Sequence, residues 1–169
     1  MITRTHSDER AESVVTFSAC EAYRYTLTRR WGAGPGVMFL MLNPSTADEF
    51  KNDPTVERCE RRARTLGYGA FRVCNIFAFR ATDPKVMRAT ADPVGPHNDK
   101  AIIEGCAWAN AVVAAWGTHG AHLGRGPQVQ AMLVGAGVTP FALGLSKDGH
   151  PKHPLYISYA VQPQPWPLV

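Results

Sequence analysis

Four short segments carry the side chains of this chain that could do chemistry. Asn43-Pro44-Ser45-Thr46, with Asp48 just after, follows an unbroken apolar run from Val37 to Leu42. Asn75 sits inside a second apolar stretch, residues 71–77. Trp116-Gly117 ends a third, and residues 146–156, SKDGHPKHPLY, bring Lys147, His150, Lys152, His153, Leu155 and Tyr156. A side-chain amide offers one acceptor and two donors and can pair with a base edge or an amide-like ring. A loop histidine can act as acid, electrophile or ligand. Phe50, Phe77, Phe79, Trp116 and Tyr156, with arginines such as Arg80 close by, suit stacking on a base and binding of its phosphates. Plainer readings stand beside these. Asn43 and Ser45 shape a turn and cap a helix, Asn75 pins a neighbouring loop, and Phe77 and Trp116 pack a core.

Other chemistries find little support. His119/His122 and His150/His153 share a spacing that suggests a metal, but Pro151 intervenes and no clear carboxylate or thiolate completes a set, so no metal site is expected. Ser45, Asp48 and a histidine lack the G-x-S-x-G elbow of a hydrolase triad. No phosphate-binding G-x-x-x-x-G-K-[ST] loop and no G-x-G-x-x-G follows a strand. Cys20, Cys59, Cys74 and Cys106 form no CxxC pair, and Cys59 and Cys74 read as small core residues. No cofactor is expected.

The positioning elements follow from periodicity. Residues 37–42 are apolar throughout, as in a parallel strand covered on both faces. Pro44 ends that strand, leaving Asn43, Ser45, Thr46 and Asp48 beyond its carboxyl end, where open α/β sheets bind ligands. Residues 13–31 read as two short strands, Tyr23, Tyr25 and Leu27 alternating with Arg24, Thr26 and Thr28. Asp53-Pro54 starts a helix running to Leu66, with Val56, Cys59, Ala63 and Leu66 inward and Glu57, Arg58, Arg61 and Arg62 on a solvated face. Strand 71–77 follows, then a long proline-punctuated connection over 79–96 of the kind that forms lids. A helix at 96–109, a strand at 111–116, a helix at 126–136 and a strand at 141–145 complete the pattern.

The expected fold is one α/β domain over residues 1–169. It is a three-layer α/β/α arrangement around a central four-stranded, mainly parallel sheet, with an N-terminal antiparallel strand pair and extended tails at 1–12 and 160–169. Parallel strands bring NPST, NIF, AWGTHG and SKDGHPKHPLY to one sheet edge.

A chain of 169 residues, 45% hydrophobic and 19% charged, forms a substantial core and is not disordered. No apolar run reaches membrane-spanning length, and the polar start MITRTHSDERAES lacks a signal-peptide core, so a cytoplasmic protein without membrane partners is expected. The net charge of +4 is mild, and arginine outnumbers lysine, which suits planar recognition of phosphate or carboxylate.

The ordered motifs carry a resemblance. The first core strand ends MLNPS, Met41 to Ser45; the second holds Asn75 in VCNIF; the third ends AAWG, Ala114 to Gly117; the last reads HPKHPL, His150 to Leu155. Over residues 37–156 this set resembles the uracil-DNA glycosylase superfamily. There the corresponding motifs are G-x-N-P-[GS] or G-x-D-P-Y, a base-reading Asn in several branches, an apolar-Trp-Gly signature and H-P-S-P-L. The chain is also identified as a member of the bacterial family known as DUF1643. It carries that family's MLNPSTAD, NDPT, GYG, NIFAFRATDP, DPVGPHND, AAWG and KDGHPKHPLY hallmarks.

The glycosylase resemblance implies that Asn43 positions the attacking water, Phe50 stacks on the base and Asn75 bonds its edge. His150 or His153 would stabilise the departing base, and Leu155 would lie near a strand carrying a flipped nucleotide. The substrate-binding set would further include Pro44, Ser45, Thr46, Asp48, Phe77, Arg80, Trp116, Gly117, Lys147 and Tyr156. Two departures stand out. Asn43 replaces the carboxylate of the most active branches, and Lys152-His153 lengthens the last motif. The expected function is recognition of a nucleobase, nucleotide or nucleic acid, single-stranded DNA included, with N-glycosidic hydrolysis. The alternatives are a non-catalytic nucleotide or modified-base binding module, or a small-metabolite hydrolase or transferase using the same pocket.

Overall fold

The computed structural model describes residues 1–168. Its strands are β1 (Ile2–Ser7), β2 (Glu12–Phe17), β3 (Arg24–Arg30), β4 (Gly36–Met41), β5 (Ala70–Asn75), β6 (Ala111–Ala114), β7 (Phe141–Ala142) and β8 (Gln164–Pro165). The helices are α1 (Pro54–Thr65), α2 (Pro84–Ala89), α3 (Asn98–Trp108) and α4 (Arg125–Gly135), with a 3-10 segment over Thr118–Gly124 before α4.

All eight strands join one mixed sheet in the order β1-β2-β3-β5-β4-β6-β7-β8. Parallel pairing is confined to β5-β4, β4-β6 and β6-β7, and the other four pairings are antiparallel. The sheet is therefore wider than the expected four strands and mostly antiparallel. Its N-terminal extension is three strands, not two. Residues 2–7 are too polar to announce a strand, yet Ile2, Arg4 and His6 are half-buried and alternate with exposed Thr3, Thr5 and Ser7. Asp8 Oδ1 accepts from the amides of Arg10 and Ala11 and closes the hairpin to β2. The tail expected over 160–169 contributes β8 against β7; Val169 lies outside the described residues.

The sheet's centre follows hydrophobicity. Every residue of β4 is buried. Val37, Phe39 and Met41 pack with Val56, Cys59 and Ala63 of α1 on one face. Met38 and Leu40 pack with Ile102 of α3 and Val129 and Leu133 of α4 on the other. Asp53 caps α1, its Oδ1 accepting from the Val56 amide at 2.9 Å, with Pro54 at the first position where its missing N–H costs nothing.

Two expected elements change. The connection 79–96 contains α2 and is tied down: the Phe79 amide donates to Pro93 O and the Ala78 amide to Val94 O. Strand 141–145 stops at Ala142, because Gly144 turns at φ +122° into a bridge between Leu145 and Pro151. The outer face of α1 is also less solvated than its charges suggest. Arg62 is 2% exposed and donates to the carbonyls of Ile157, Ser158 and Val161, while Arg58 donates to Ile157 O and lies over the Tyr159 ring.

Trp116, 1% exposed, packs where β6 leaves the sheet. A Cβ on Gly120 would lie 2.2 Å from its Cδ1 and 2.8 Å from its Nε1. Gly120→Ala is expected to cost about 2–3 kcal/mol, because a fully buried indole has no room to yield; thermal unfolding checks it. Among the described residues, no helix is long and apolar enough to cross a membrane.

Candidate functional site

The parallel strands deliver three of the four chemical segments to one small cavity, about 40 Å³, beyond the carboxyl ends of β4 and β5. Asn43, Pro44 and Ser45 enter it from the exit of β4, Asn75 from the last position of β5, and His153 from the C-terminal loop. Asn43 shares the face of Met41, and Asn75 that of Val73, because side chains alternate along a strand. Both therefore point toward α1, whose Val56 and Cys59, with Thr55 and the capping Asp53, close the other side.

Each of these side chains has a defined donor or acceptor state. Asn43 Nδ2 donates to Ala81 O at 2.8 Å and to Pro44 O at 3.2 Å, which commits both amide hydrogens and leaves Oδ1 as an acceptor. Asn75 is 2% exposed, and its Nδ2 is buried with no hydrogen-bond partner among the described residues. Its backbone carbonyl accepts from Asn98 Nδ2 at 2.8 Å, which fixes the strand end. His153 Nδ1 accepts from the Leu155 amide at 3.3 Å, so the neutral ring carries its proton on Nε2. Burial lowers the pKa of His153 below its ordinary value, with the Asp53 carboxylate acting in the opposite direction. The Cys59 thiol, wholly buried, is pushed far up and stays protonated, which removes it as a nucleophile.

The AWG and HPKHPL segments meet through Gly117. Its amide donates to Pro151 O at 2.8 Å, and at φ +72° it lies against His153, where an added Cβ would come within 3.5 Å. Trp116 itself is core, beside Trp166, and so is Phe77. Neither lines the cavity.

The remaining candidates are dispersed. His150 sits in the 144–151 hairpin, its amide bonded to Ser146 Oγ, with Lys147 exposed at the tip. Tyr156 is 90% exposed at φ +72°, and Leu155 is half-buried beside it. Thr46 is exposed, and Asp48 Oδ1 caps a turn by accepting from the Phe50 and Lys51 amides. Phe50, 68% exposed, turns away to meet His6 edge-on at 5.0 Å and lines a separate hollow of about 280 Å³ with Arg29, Glu57 and Glu60. Arg80 stands behind the cavity, its Nε 3.4 Å from Ser45 O and its guanidinium over the Phe17 ring. A still larger hollow, about 490 Å³, lies on the open face of β2 and β3 around Thr16, Thr26 and Arg72. The cavity described here is the smallest of the three and the one into which the motif residues converge.

Two charged lining residues, Arg24 and Asp53, were not among the sequence candidates for the site. Arg24 read as an outward strand residue, but the register between β2 and β3 breaks at Thr16/Phe17, with Phe17 opposite Arg24 and Thr16 opposite Thr26. Tyr25 is thus the extra residue of a β-bulge, which swings Arg24 onto the α1 face. Arg24 is 1% exposed; Nη1 donates to Ala47 O at 3.1 Å, and Nε is buried without a partner among the described residues. Burial pulls its pKa down to about 10, with Asp53 opposing, so it stays charged at neutral pH. Asp53 read correctly as a cap, but its second oxygen accepts from the Ala47 amide at 3.3 Å and its charge faces Arg24. No sequence signal marks that second task.

The His153 environment has a pH consequence. Unfolded, the imidazole takes a proton near its ordinary value of 6.5; folded, it does so only at lower pH. The unfolded state then binds more protons, so stability falls as pH drops below that value. Melting followed across this window should show the decline in wild type and a shallower one in His153→Gln.

Among the described residues, no group of three or more His, Cys, Asp or Glu side chains is placed to hold a metal ion. No curated protein and no solved structure matches this chain. The family described as "Protein of unknown function (DUF1643)" matches residues 24–155, a span that contains every residue lining the cavity, from Arg24 to His153. The chain belongs to the DUF1643 family.

Proposed function

We propose that the cavity recognises the edge of a nucleobase and supports hydrolysis of its N-glycosidic bond. The observation that carries this reading is the Asn75 amide, whose buried Nδ2 has no partner among the described residues and lines the cavity. An unmet donor in a low-dielectric site is costly unless a ligand or water completes it. Around it, Asn43 Oδ1 can hold a water, and neutral His153 can present Nε2–H to a departing base that gathers negative charge. The order of these motifs, which resembles that of uracil-DNA glycosylases, supports the same assignment.

Size bears on the mechanism. A cavity of about 40 Å³ holds little more than one water, whose share of liquid volume is roughly 30 Å³. Ordinary ligand pockets span about 300–1,000 Å³. A ring thus enters by its edge, or displaces the Ser45–Thr82 hydroxyl contact or the loop after His153. Asn43, an amide, cannot serve as general base, so any rate enhancement comes from orienting water and stabilising the leaving group. That same substitution favours the second reading, a base-binding module without turnover.

Uracil-containing or damaged single-stranded DNA is the substrate to test, with abasic sites as the readout. Wild type is expected to form them, and Asn75→Ala to lose at least about tenfold, the worth of a buried directional bond. Saturable binding of free bases without abasic sites would establish the module. Neither product nor binding across a panel of free bases and nucleosides would remove the nucleobase reading.

A further inference from the structure

On one of its faces the sheet is wider than the helix layer. Val15, Phe17 and Leu27 of β2 and β3 pack in the core with α1. On the opposite face α3 packs on Met38 and Cys74. Beyond it Val14, Thr16, Thr26 and Thr28 are left partly open. The register sets Val14 beside Thr28 and Thr28 beside Arg72, so β2, β3 and β5 contribute one row of side chains. The bulge that swings Arg24 onto the α1 face leaves Tyr25 packed with Ala101 of α3. Strand floor and helix wall enclose the hollow of about 490 Å³. That volume lies within the range of small-molecule sites, about 300–1,000 Å³.

Two donors in this lining are unmet. Arg72 Nε donates to Thr28 Oγ1 at 2.9 Å, and its guanidinium carbon lies 4.4 Å from the centre of the Trp108 ring. These contacts fix the guanidinium plane. Its Nη1 and Nη2 have neither a hydrogen bond nor an ion pair among the described residues. Burial lowers the Arg72 pKa, with Glu104 opposing, so a bound anion would favour the charged form. Tyr25 is 1% exposed, and its hydroxyl is buried without a partner among the described residues. Burial raises its pKa, so the hydroxyl stays protonated at neutral pH. The His97 amide beside it can only donate, which leaves the hydroxyl hydrogen without an acceptor.

The other polar groups are engaged or lie at the rim. Thr16 and Thr26 bond each other through their hydroxyls at 2.7 Å. Glu104 is the one carboxylate lining the hollow among the described residues; it faces Lys100 at 3.7 Å, and both are exposed. Val14 and Ala101 supply apolar surface.

We infer that this hollow binds a small carboxylate with an apolar body. The free Nη edge of Arg72 takes both carboxylate oxygens, a planar match that an ammonium does not offer. The body lies over Val14 and Ala101. The site is separate from the cavity of Asn43, Asn75 and His153, and it does not depend on the function proposed there.

Titration of wild type with benzoate, benzamide, acetate and inorganic phosphate tests it. Benzoate is expected to bind more tightly than benzamide by about tenfold or more, the worth of hydrogen bonds between charged partners. It should exceed acetate by roughly tenfold, the worth of burying a ring, and it should exceed phosphate as well. Arg72→Met, first shown to fold by thermal melting, should lose the preference for benzoate over benzamide. 4-Bromobenzoate, soaked into crystals and located by its anomalous scattering, should lie in the hollow with its carboxylate on Arg72. Equal binding of benzamide, a benzoate preference that survives in Arg72→Met, bromine found in the motif cavity or elsewhere, or no binding at all would each overturn the site. Phosphate binding as tight as that of benzoate would show a bare cation and overturn the carboxylate assignment. Should Arg72→Met fail to fold, the wild-type contrasts and the position of the bromine decide the matter.

Discussion

Asp53→Ala is expected to lower the unfolding free energy by about 3 kcal/mol, which for a chain of this size is a fall in Tm of roughly 6–12 °C. Two separate losses combine. The N-cap bond to the Val56 amide disappears, worth about 1 kcal/mol. The carboxylate that opposes burial of the Arg24 charge disappears as well, leaving a guanidinium that is 1% exposed without a counter-charge. The two are separable. Asp53→Asn keeps a capping oxygen and loses the charge, so it should fall between wild type and Asp53→Ala. Adding Arg24→Met to Asp53→Asn removes the uncompensated charge and should restore part of the loss, a coupling that a double-mutant cycle reads directly. Additive single effects would show that Asp53 is a cap and nothing more.

The second large effect concerns activity. His153→Asn is expected to reduce abasic-site formation roughly 10²–10³-fold, the usual effect of removing one donor from a site of developing negative charge. His150→Ala should leave the rate within about twofold, because His150 is held in the 144–151 hairpin by Ser146 and does not line the cavity. Both variants should melt near wild type at neutral pH, where His153 is uncharged. The contrast matters because the motif HPKHPL offers two histidines, and only the fold separates them. A His150→Ala variant that is as impaired as His153→Asn would show that the hairpin, and not the cavity, carries any such chemistry.

How far the sequence leads depends on whether a property is local. The apolar run at 37–42 and the Asp53-Pro54 start are short-range signals, and β4 and α1 form where they indicate. The convergence of Asn43, Asn75 and the C-terminal histidine loop was legible too, because consecutive strand–helix units place parallel strand ends on one edge. The width of the sheet was not. β1 contains only one strongly apolar residue, Ile2, and its pairing depends on β2 being present to receive it. The position of Phe50 also escaped, since a loop residue nine places after the end of β4 can turn to either side, and here His6 of β1 supplies its partner.

The sequence by itself determined the buried strands, the capped helix and the edge at which the amides and the histidine loop gather, because each follows from hydrophobic periodicity and turn chemistry within a few residues. Only the tertiary structure decided that His153 and not His150 enters the cavity, and that Arg24 lies beneath it. A one-residue bulge between β2 and β3 reverses the face on which Arg24 falls, and a bulge is a property of two paired strands that neither strand carries alone.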